Sequence, residues 1–539
     1  MSVERGVIAA GHPLTAEAGA RVLREGGNAV DAAVAAMLTS FAAEQLLTGL
    51  GAGGYMLVAG AGEEPTLLEI FVEAPSPRRT SPVEGAAGCA GGDHAPVAAI
   101  PPPAELRAVD VSFGDAAQVF HIGPASCGVY GTPAGVCAAI ERWGTMPLHE
   151  LAAPAARLAR DGVELNTGQA YIAKILADLL TSTPECAALW APDGHVLKEG
   201  ELLCNPELGD ALLLLGEEGA EPFYRGEVAA TVCDWMSARG ASLSSENLAG
   251  YRAVEREPVR VRYRDHEVLT NPPPSAGGTL LAYALALLDR GPAPPSLSGV
   301  IEVMGAAQVQ RTPEFVEGLS EIGFLEGFIA KNHGSTTHIS VLDSGGLACS
   351  VTASNGEGSG VVVPGTGIHL NNVMGEQDLN PLGFHRHPAG RRMPSMMAPT
   401  IVMLSDRRSD RSPIGGQVEL VLGSAGSNRI RSALLQTIVG VVDHGLTVCG
   451  AVQAPRVHFE DGTLFAEPGI DLREVTGSRS ACESFAGAGG QFSGSDAPQE
   501  IVEFHELNLF FGGVLAVLRR DGAIDGAGDP RRGGVAVRA

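Results

Sequence analysis

Small polar residues gathered around short glycine loops carry most of the chemistry open to this sequence. Asn332-His-Gly-Ser-Thr-Thr-His338 runs from a glycine into a strand that opens on two threonines. Alone it reads as a loop entering a strand, where threonine is favoured by β-propensity. Four further stretches are of the same kind: Thr352-Ala-Ser-Asn-Gly-Glu-Gly-Ser-Gly360, Pro364-Gly-Thr-Gly-Ile-His-Leu-Asn-Asn372, Arg392-Met-Pro-Ser-Met-Met-Ala-Pro-Thr400 and Leu422-Gly-Ser-Ala-Gly-Ser-Asn-Arg429. Such loops at strand ends offer backbone N–H groups and hydroxyls to a site, the donors that a developing oxyanion needs. Any one of them is weak evidence; their order along the chain is not.

Other patterns carry less. Gly49-Leu-Gly-Ala-Gly-Gly54 matches GxGxxG, but a dinucleotide fingerprint needs a strand before it and a helix after it. Here the helix precedes and the strand Tyr55-Met-Leu-Val-Ala follows, so a tight loop delivering a buried strand is expected. His385-x-His387 has no third ligand at motif spacing and reads as a solvated loop, so no metal is expected. His338 reads as structural, and Arg391, Arg392 and Arg429 as surface or loop arginines. Nine cysteines without a CxxC pair read as reduced thiols in so large a chain.

The elements that must position these loops follow from periodicity. Leu14, Ala18, Val22 and Leu23 share one face of a helix bounded by Pro13 and Gly26-Gly27-Asn28, and a small-residue helix follows over AVDAAVAAMLTSFAA. Residues 76–106 read as a long Pro/Gly/Ala-rich loop. Helical periodicity dominates from about Ala138 to Tyr251, and Val259–Tyr263 with His266–Leu269 alternates like a strand pair. Thr279–Leu288 and Ile430–Val442 are helical, whereas 337–343, 347–354, 399–404 and 418–422 are strands. Interleaved blocks of this kind predict layered α and β structure in one unit.

The charge balance bounds the partners. With 37 Lys and Arg against 62 Asp and Glu, the net charge is −25. Such a surface repels nucleic acid and anionic lipid, so neither is expected as a partner. No apolar run approaches a membrane span, and the start MSVERGVIAAGHPLTAEAG shows no signal-type apolar core, so a cytoplasmic enzyme acting on small molecules is expected.

Taken in order, the motifs resemble the gamma-glutamyltranspeptidase family of N-terminal-nucleophile hydrolases. Ala10–Gly19, Gly26–Ala33 and Gly49–Met56 look like its opening. Tyr130–Gly135, Pro154–Ala159, Phe223–Gly226 and Pro272–Gly278 look like its large subunit, and Thr336–Val341 and Gly423–Ile430 like its small one. The resemblance implies an α+β fold, a four-layer αββα sandwich. It also implies a proenzyme cut between Ser335 and Thr336 into subunits 1–335 and 336–539 that stay together as one globular unit, and it leaves open a dimer of these. No cofactor is implied.

By the same resemblance Thr336 is nucleophile and, through its freed α-amine, base. Ser354 hydrogen-bonds it, and the N–H groups of Gly426 and Ser427 hold the oxyanion, Ser427 standing where the family usually has a second glycine. Asn355, Glu376 and Ser395 fall at substrate-binding positions, whereas Phe71 fills the place of the arginine that binds the substrate α-carboxylate. A phenyl ring cannot form that charge-assisted contact. The leading expectation is a gamma-glutamyl hydrolase or transferase passing its acyl group to water or an amine. Its alternatives are an amidohydrolase for an oxamate- or glutaryl-type amide, and an uncut binding or scaffold protein.

Overall fold

A computed structural model describes residues 4–76, 103–112, 117–309, 336–380, 383–405, 416–460, 462–473, 498 and 500–539. The first element is β1 (Gly6–Ala10), buried along its whole length, a strand too short and too small-residued for periodicity to reveal. Next come α1 (Pro13–Glu25) and α2 (Ala29–Ala43). Gly26 ends α1 in the left-handed region at φ 100, as the glycine stop predicts. The buried face of α1 is Thr15, Ala16, Gly19, Ala20, Val22 and Leu23, and the predicted Leu14 is exposed. Small residues decide this face because the two helices nearly touch. A Cβ on Gly19 would lie 2.8 Å from the Ala32 carbonyl oxygen. Asn28 and Asp31 start α2 with a reciprocal capping box, and every residue of α2 is buried.

Two antiparallel sheets form the centre. The first contains β2 (Gly53–Gly60), β3 (Glu63–Glu69), β4 (Val254–Arg256), β7 (Thr337–Asp343), β8 (Ala348–Ser354) and β13 (Val535–Arg538), in the order β13-β1-β7-β8-β2-β3-β4. The second contains β5 (Val259–Tyr263), β6 (His266–Thr270), β9 (Thr400–Leu404), β10 (Val418–Ala425), β11 (Gly513–Arg520) and β12 (Ala523–Gly528), in the order β12-β11-β10-β9-β6-β5. Val7, Tyr55, Leu57, Phe71, Ile401, Val421 and Val517 pack between the sheets. The outer face of the first sheet meets α1, α2, α3 (Leu148–Asp161) and α4 (Pro206–Glu218). The second is covered by α5 (Ala276–Asp289), α6 (Leu297–Val309), α7 (Arg429–Val442) and α8 (Val448–Gln453). The layers are α, β, β, α.

Both sheets join strands from either side of residue 335, β1 pairing with β7 and β6 with β9. The strand that begins at Thr337 is thus held on one flank by β1 and on the other by β8. Among the described residues no helix is long and apolar enough to cross a membrane.

Candidate active site

Thr336 stands one residue before β7 and is buried. The antiparallel register pairs Thr337 with Ala353, so the next step sets Ser354, the last residue of β8, opposite Thr336. Ser354 in turn pairs with Gly53 at the start of β2. A Cβ on Gly53 would lie 2.7 Å from the Val72 nitrogen and 3.0 Å from the Phe71 carbonyl carbon. The glycine run therefore does what its context predicts: it lets the segment carrying Phe71 close directly on the strand. No phosphate needs to be invoked.

Thr336, Ser354, Glu376, Ser395 and Phe71 line one small pocket of about 10 Å³, with Val373, Leu379, Met396, Met397 and Ile430 as its apolar walls. Ser354 Oγ accepts the Gly356 N–H at 2.8 Å. The Glu376 carboxylate lies against that same glycine, since a Cβ on Gly356 would be 2.3 Å from Glu376 Oε1. Ser395 is fixed from the far side. Its carbonyl accepts the Ala276 N–H at 2.8 Å and the Ser275 hydroxyl at 3.1 Å, and its Oγ accepts the Met397 N–H at 3.0 Å. None of the described residues lining this pocket is Arg, Lys or His.

Gly426 and Ser427 form the turn from β10 into α7, with φ 117 and 64. Their neighbours Ala425 and Ile430 line cavities that Thr336 also lines, which puts the turn beside Thr336. The carbonyls of Gly426 and Ser427 accept the first N–H groups of α7, from Arg429 and Ile430, at 3.1 and 3.0 Å. Ser427 is a non-glycine residue in the left-handed region, which explains physically why glycine suits that position.

Alternation along β7 sends Thr337 to the helical side and His338 to the inter-sheet side. Thr337 Oγ1 donates to Glu44 Oε2 at 2.7 Å, and Thr15 Oγ1 donates to Glu44 Oε1 at 2.7 Å. Burial raises the Glu44 carboxyl above its ordinary range, opposed by these two hydroxyls. Neither Glu44 nor Thr15 stood out in the sequence; the available signal was an acidic residue closing an otherwise apolar helix. His338 Nδ1 lies 2.8 Å from Thr352 Oγ1 and Nε2 lies 2.9 Å from Ser340 Oγ, and burial drives the imidazole down to about 3. It is a neutral structural histidine, as read. A second, larger cavity of about 280 Å³ also has Thr336 in its wall, together with Glu44, Thr337, Trp190 and Arg532.

Asn355 is fully buried and lies outside the small pocket's wall; its Nδ2 faces Gly49, and neither side-chain polar atom has a hydrogen-bond partner. The expectations for two arginines and a histidine need correcting. Arg392 and Arg429 are buried, not superficial. Arg392 donates to the Phe71 carbonyl at 2.7 Å, pairs with Glu73 at 3.3 Å and lies over the Tyr251 ring. Arg429 donates to the Phe510 carbonyl at 2.9 Å and lies over that ring. Arginine is buried here because carbonyls and aromatic faces replace its water. His387 is also buried, its Nε2 3.1 Å from the Leu379 carbonyl. Ser335, and most of the 76–106 loop, lie outside the described residues.

The sequence pattern of gamma-glutamyltranspeptidase matches residues 15–320 and 324–539. The glutathione hydrolase proenzyme of Escherichia coli (strain K12) is 27% identical over 562 residues, covering 92% of this chain and 91% of its own. That of Bacillus subtilis (strain 168) is 27% identical over 525 residues, covering 85% and 82%. The acylase ACY 1 proenzyme of Pseudomonas sp. (strain SE83) is 29% identical over 506 residues, covering 87% and 85%. In three dimensions, cephalosporin acylase from Bacillus halodurans shares the fold, with a TM-score of 0.73 at 22% identity over 99% of this chain and 96% of that one. By motif, layer order and near end-to-end match, the chain belongs to the gamma-glutamyltranspeptidase family, and so to the hydrolases and transferases that work through an N-terminal nucleophile.

Proposed function

We propose that this protein cleaves itself before Thr336 and then transfers a small, gamma-glutamyl-like acyl group from an amide to water or an amine. The observation that carries this reading is the convergence of Thr336, Ser354, Glu376, Ser395 and Phe71 on one pocket beside the Gly426–Ser427 turn. A threonine hydroxyl holds its proton and needs an adjacent base to become a useful nucleophile. In the precursor, Thr336 Oγ attacks the Ser335 carbonyl, and water hydrolyses the resulting ester. The α-amine so released has an ordinary pKa of about 7.7–8.0, so near neutrality a usable fraction is unprotonated. It takes the hydroxyl proton as Oγ attacks the substrate carbonyl and gives it to the departing nitrogen. The N–H groups of Gly426 and Ser427 hold the oxyanion, and Ser354 orients the hydroxyl. The products of maturation are 1–335 and 336–539, which share both sheets.

A second reading of the acyl group rests on Phe71. That ring stacks on Tyr55 at 5.5 Å, and the nearby Arg392 is committed to the Phe71 carbonyl, Glu73 and the Tyr251 face. Because the described wall offers no arginine for the gamma-glutamyl α-carboxylate, another small acyl group is the second reading, of glutaryl type (gamma-glutamyl without its α-amine) or of oxamate type. A denaturing gel with N-terminal sequencing tests the main proposal. Two fragments, one starting Thr-Thr-His, are expected from wild type and one intact chain from Thr336→Ala. A folded wild type that stays intact refutes it and favours a non-catalytic binding protein. Rates on gamma-glutamyl, glutaryl and oxamic amides then separate the two acyl readings.

A further inference from the structure

The first turns of α7 are bonded to a strand, Val457–Glu460, that the proposed mechanism does not use. Helix and strand meet at three levels. Gln436 takes the backbone of Val457 with both ends of its amide, Nε2 donating to the carbonyl and Oε1 accepting the N–H, each at 2.9 Å. One helical turn earlier, Ser432 Oγ lies 2.8 Å from His458 Nδ1. One turn earlier again, Asn428 Nδ2 donates to Glu460 Oε1, while Glu460 Oε2 lies 3.2 Å from His458 Nε2. Residues 428, 432 and 436 are four apart and share one face at the helix start. Alternation along the strand puts His458 and Glu460 on one side of it.

Chemistry fixes the direction of each bond. A carboxylate only accepts, so His458 carries its proton on Nε2 and donates it to Glu460. Nδ1 is then bare and accepts the Ser432 hydroxyl. The ring is neutral because it is fully buried, stacked on Phe465 and set edge-on to Phe510, and burial brings it down to about 4. Each oxygen of Glu460 thereby takes a donor, one from His458 and one from Asn428. This chain of bonds ends beside the Gly426–Ser427 turn. Asn428 sits in the right-handed region at φ −53 and ψ −29, directly after Ser427 in the left-handed region at φ 64. A residue with a Cβ is strained there, so a loose Asn428 would let the turn relax and swing its N–H groups away. A hydrogen bond to a carboxylate is among the stronger tethers available.

We propose that Glu460 and His458 are positioning residues for acyl transfer: by holding Asn428 they keep the N–H groups of Gly426 and Ser427 aimed at the oxyanion. Their role rests on the oxyanion reading of that turn and adds no reacting group to it. Ser432 anchors the chain to the body of α7, and Gln436 only joins helix to strand.

The test is turnover of the better of gamma-glutamyl and glutaryl 4-nitroanilide by self-processed protein. Glu460→Gln sets an N–H₂ where one of the two donors needs an acceptor, and kcat is expected to fall about tenfold with KM little changed. Glu460→Asp keeps the carboxylate and recovers part of the loss. In the Ser427→Gly background φ 64 is no longer strained, so the loss caused by Glu460→Gln shrinks to about threefold or less. Gln436→Leu is the structural control: it lowers the urea midpoint but leaves kcat within about twofold, because that contact lies two turns from the oxyanion turn. Should Glu460→Gln not fold, Glu460→Asp answers alone, and its smaller loss must shrink in the same background. An unchanged kcat in Glu460→Gln, a loss undiminished by Ser427→Gly, or an equal loss in Gln436→Leu overturns the positioning role. If Gly426→Ala also leaves kcat unchanged, the oxyanion reading falls with it. Turnover of neither anilide overturns the acyl-transfer reading itself, a distinct result.

Discussion

Replacing Gly426 by alanine tests the proposed oxyanion turn more sharply than removing the Thr336 hydroxyl, because it leaves every side chain of the proposed site in place. The new Cβ would sit 2.5 Å from Gly512 Cα and 3.1 Å from Gly512 N, where ordinary contact begins at 3.4 Å. About 0.9 Å of space must therefore be found. It cannot come from a flexible side chain, since both sides are backbone. Gly512 is itself held, its N–H donating to the Leu509 carbonyl at 3.3 Å and the next N–H to Ser424 Oγ at 3.2 Å. At φ 117 the alanine is strained as well, by about 1–3 kcal/mol. Because Gly512 resists, the turn moves and carries its N–H groups off target. A displacement near 1 Å in a reacting array costs about 10²-fold, similar to the loss of one oxyanion donor. The expected result is a kcat about 10²-fold lower with KM little changed, measured with an acyl anilide on the fraction that has matured. Maturation slows as well, because the same donors serve the first cleavage. Ser427→Gly is the paired control: it keeps the N–H, suits the φ of 64, and should leave kcat within about threefold of wild type. A Gly426→Ala protein that matures fully and turns over at the wild-type rate would refute the assignment.

Two further outcomes follow from buried groups. Glu44→Gln mimics the protonated carboxyl, and because burial raises Glu44 the sign can be worked out: the folded chain holds this proton at pH values where the unfolded chain has lost it. Wild-type stability relative to the Gln variant should fall as pH climbs from the ordinary carboxylate range to the raised value, then level off; urea titrations showing the opposite slope would contradict the burial argument. Phe71→Ala removes a ring that is 2% exposed and stacked on Tyr55, so unfolding in urea should show a loss of about 3–5 kcal/mol. A loss under about 1 kcal/mol would mean that the ring packs loosely and that its place in the pocket wall is not fixed.

How much could be read in advance depended on how far along the chain the cause lay. The hairpin from Thr337 to Ser354 was legible because alternation and its Ser344-Gly345-Gly346 turn are local. The stop at Gly26 was legible for the same reason. β1 and β13 were not: each is short, and they make sense only paired with each other, with β1 also paired to β7. Glu44 was hidden because its partners lie 29 residues and 293 residues away along the chain. Arg392 and Arg429 were misplaced by the general tendency of arginine toward solvent, which fails where a backbone carbonyl and a ring supply the missing contacts.

The glycine run shows the difference between a motif and its physical use. Read as letters, Gly49–Gly54 is a phosphate loop; in place, its glycines are spaces into which neighbouring backbone fits. A Cβ on Gly51 would lie 2.4 Å from the His369 carbonyl oxygen, on Gly54 2.2 Å from that of Thr352, and on Gly53 2.7 Å from the Val72 nitrogen. The last contact ties Ser354, opposite Thr336, to the segment bearing Phe71 through a single residue without a side chain. The distance between the strand that ends at Ser354 and the segment bearing Phe71 is therefore set by backbone, which side-chain repacking cannot relax. A different side chain at position 71 would therefore alter the chemistry of the pocket while leaving its position relative to Thr336 fixed.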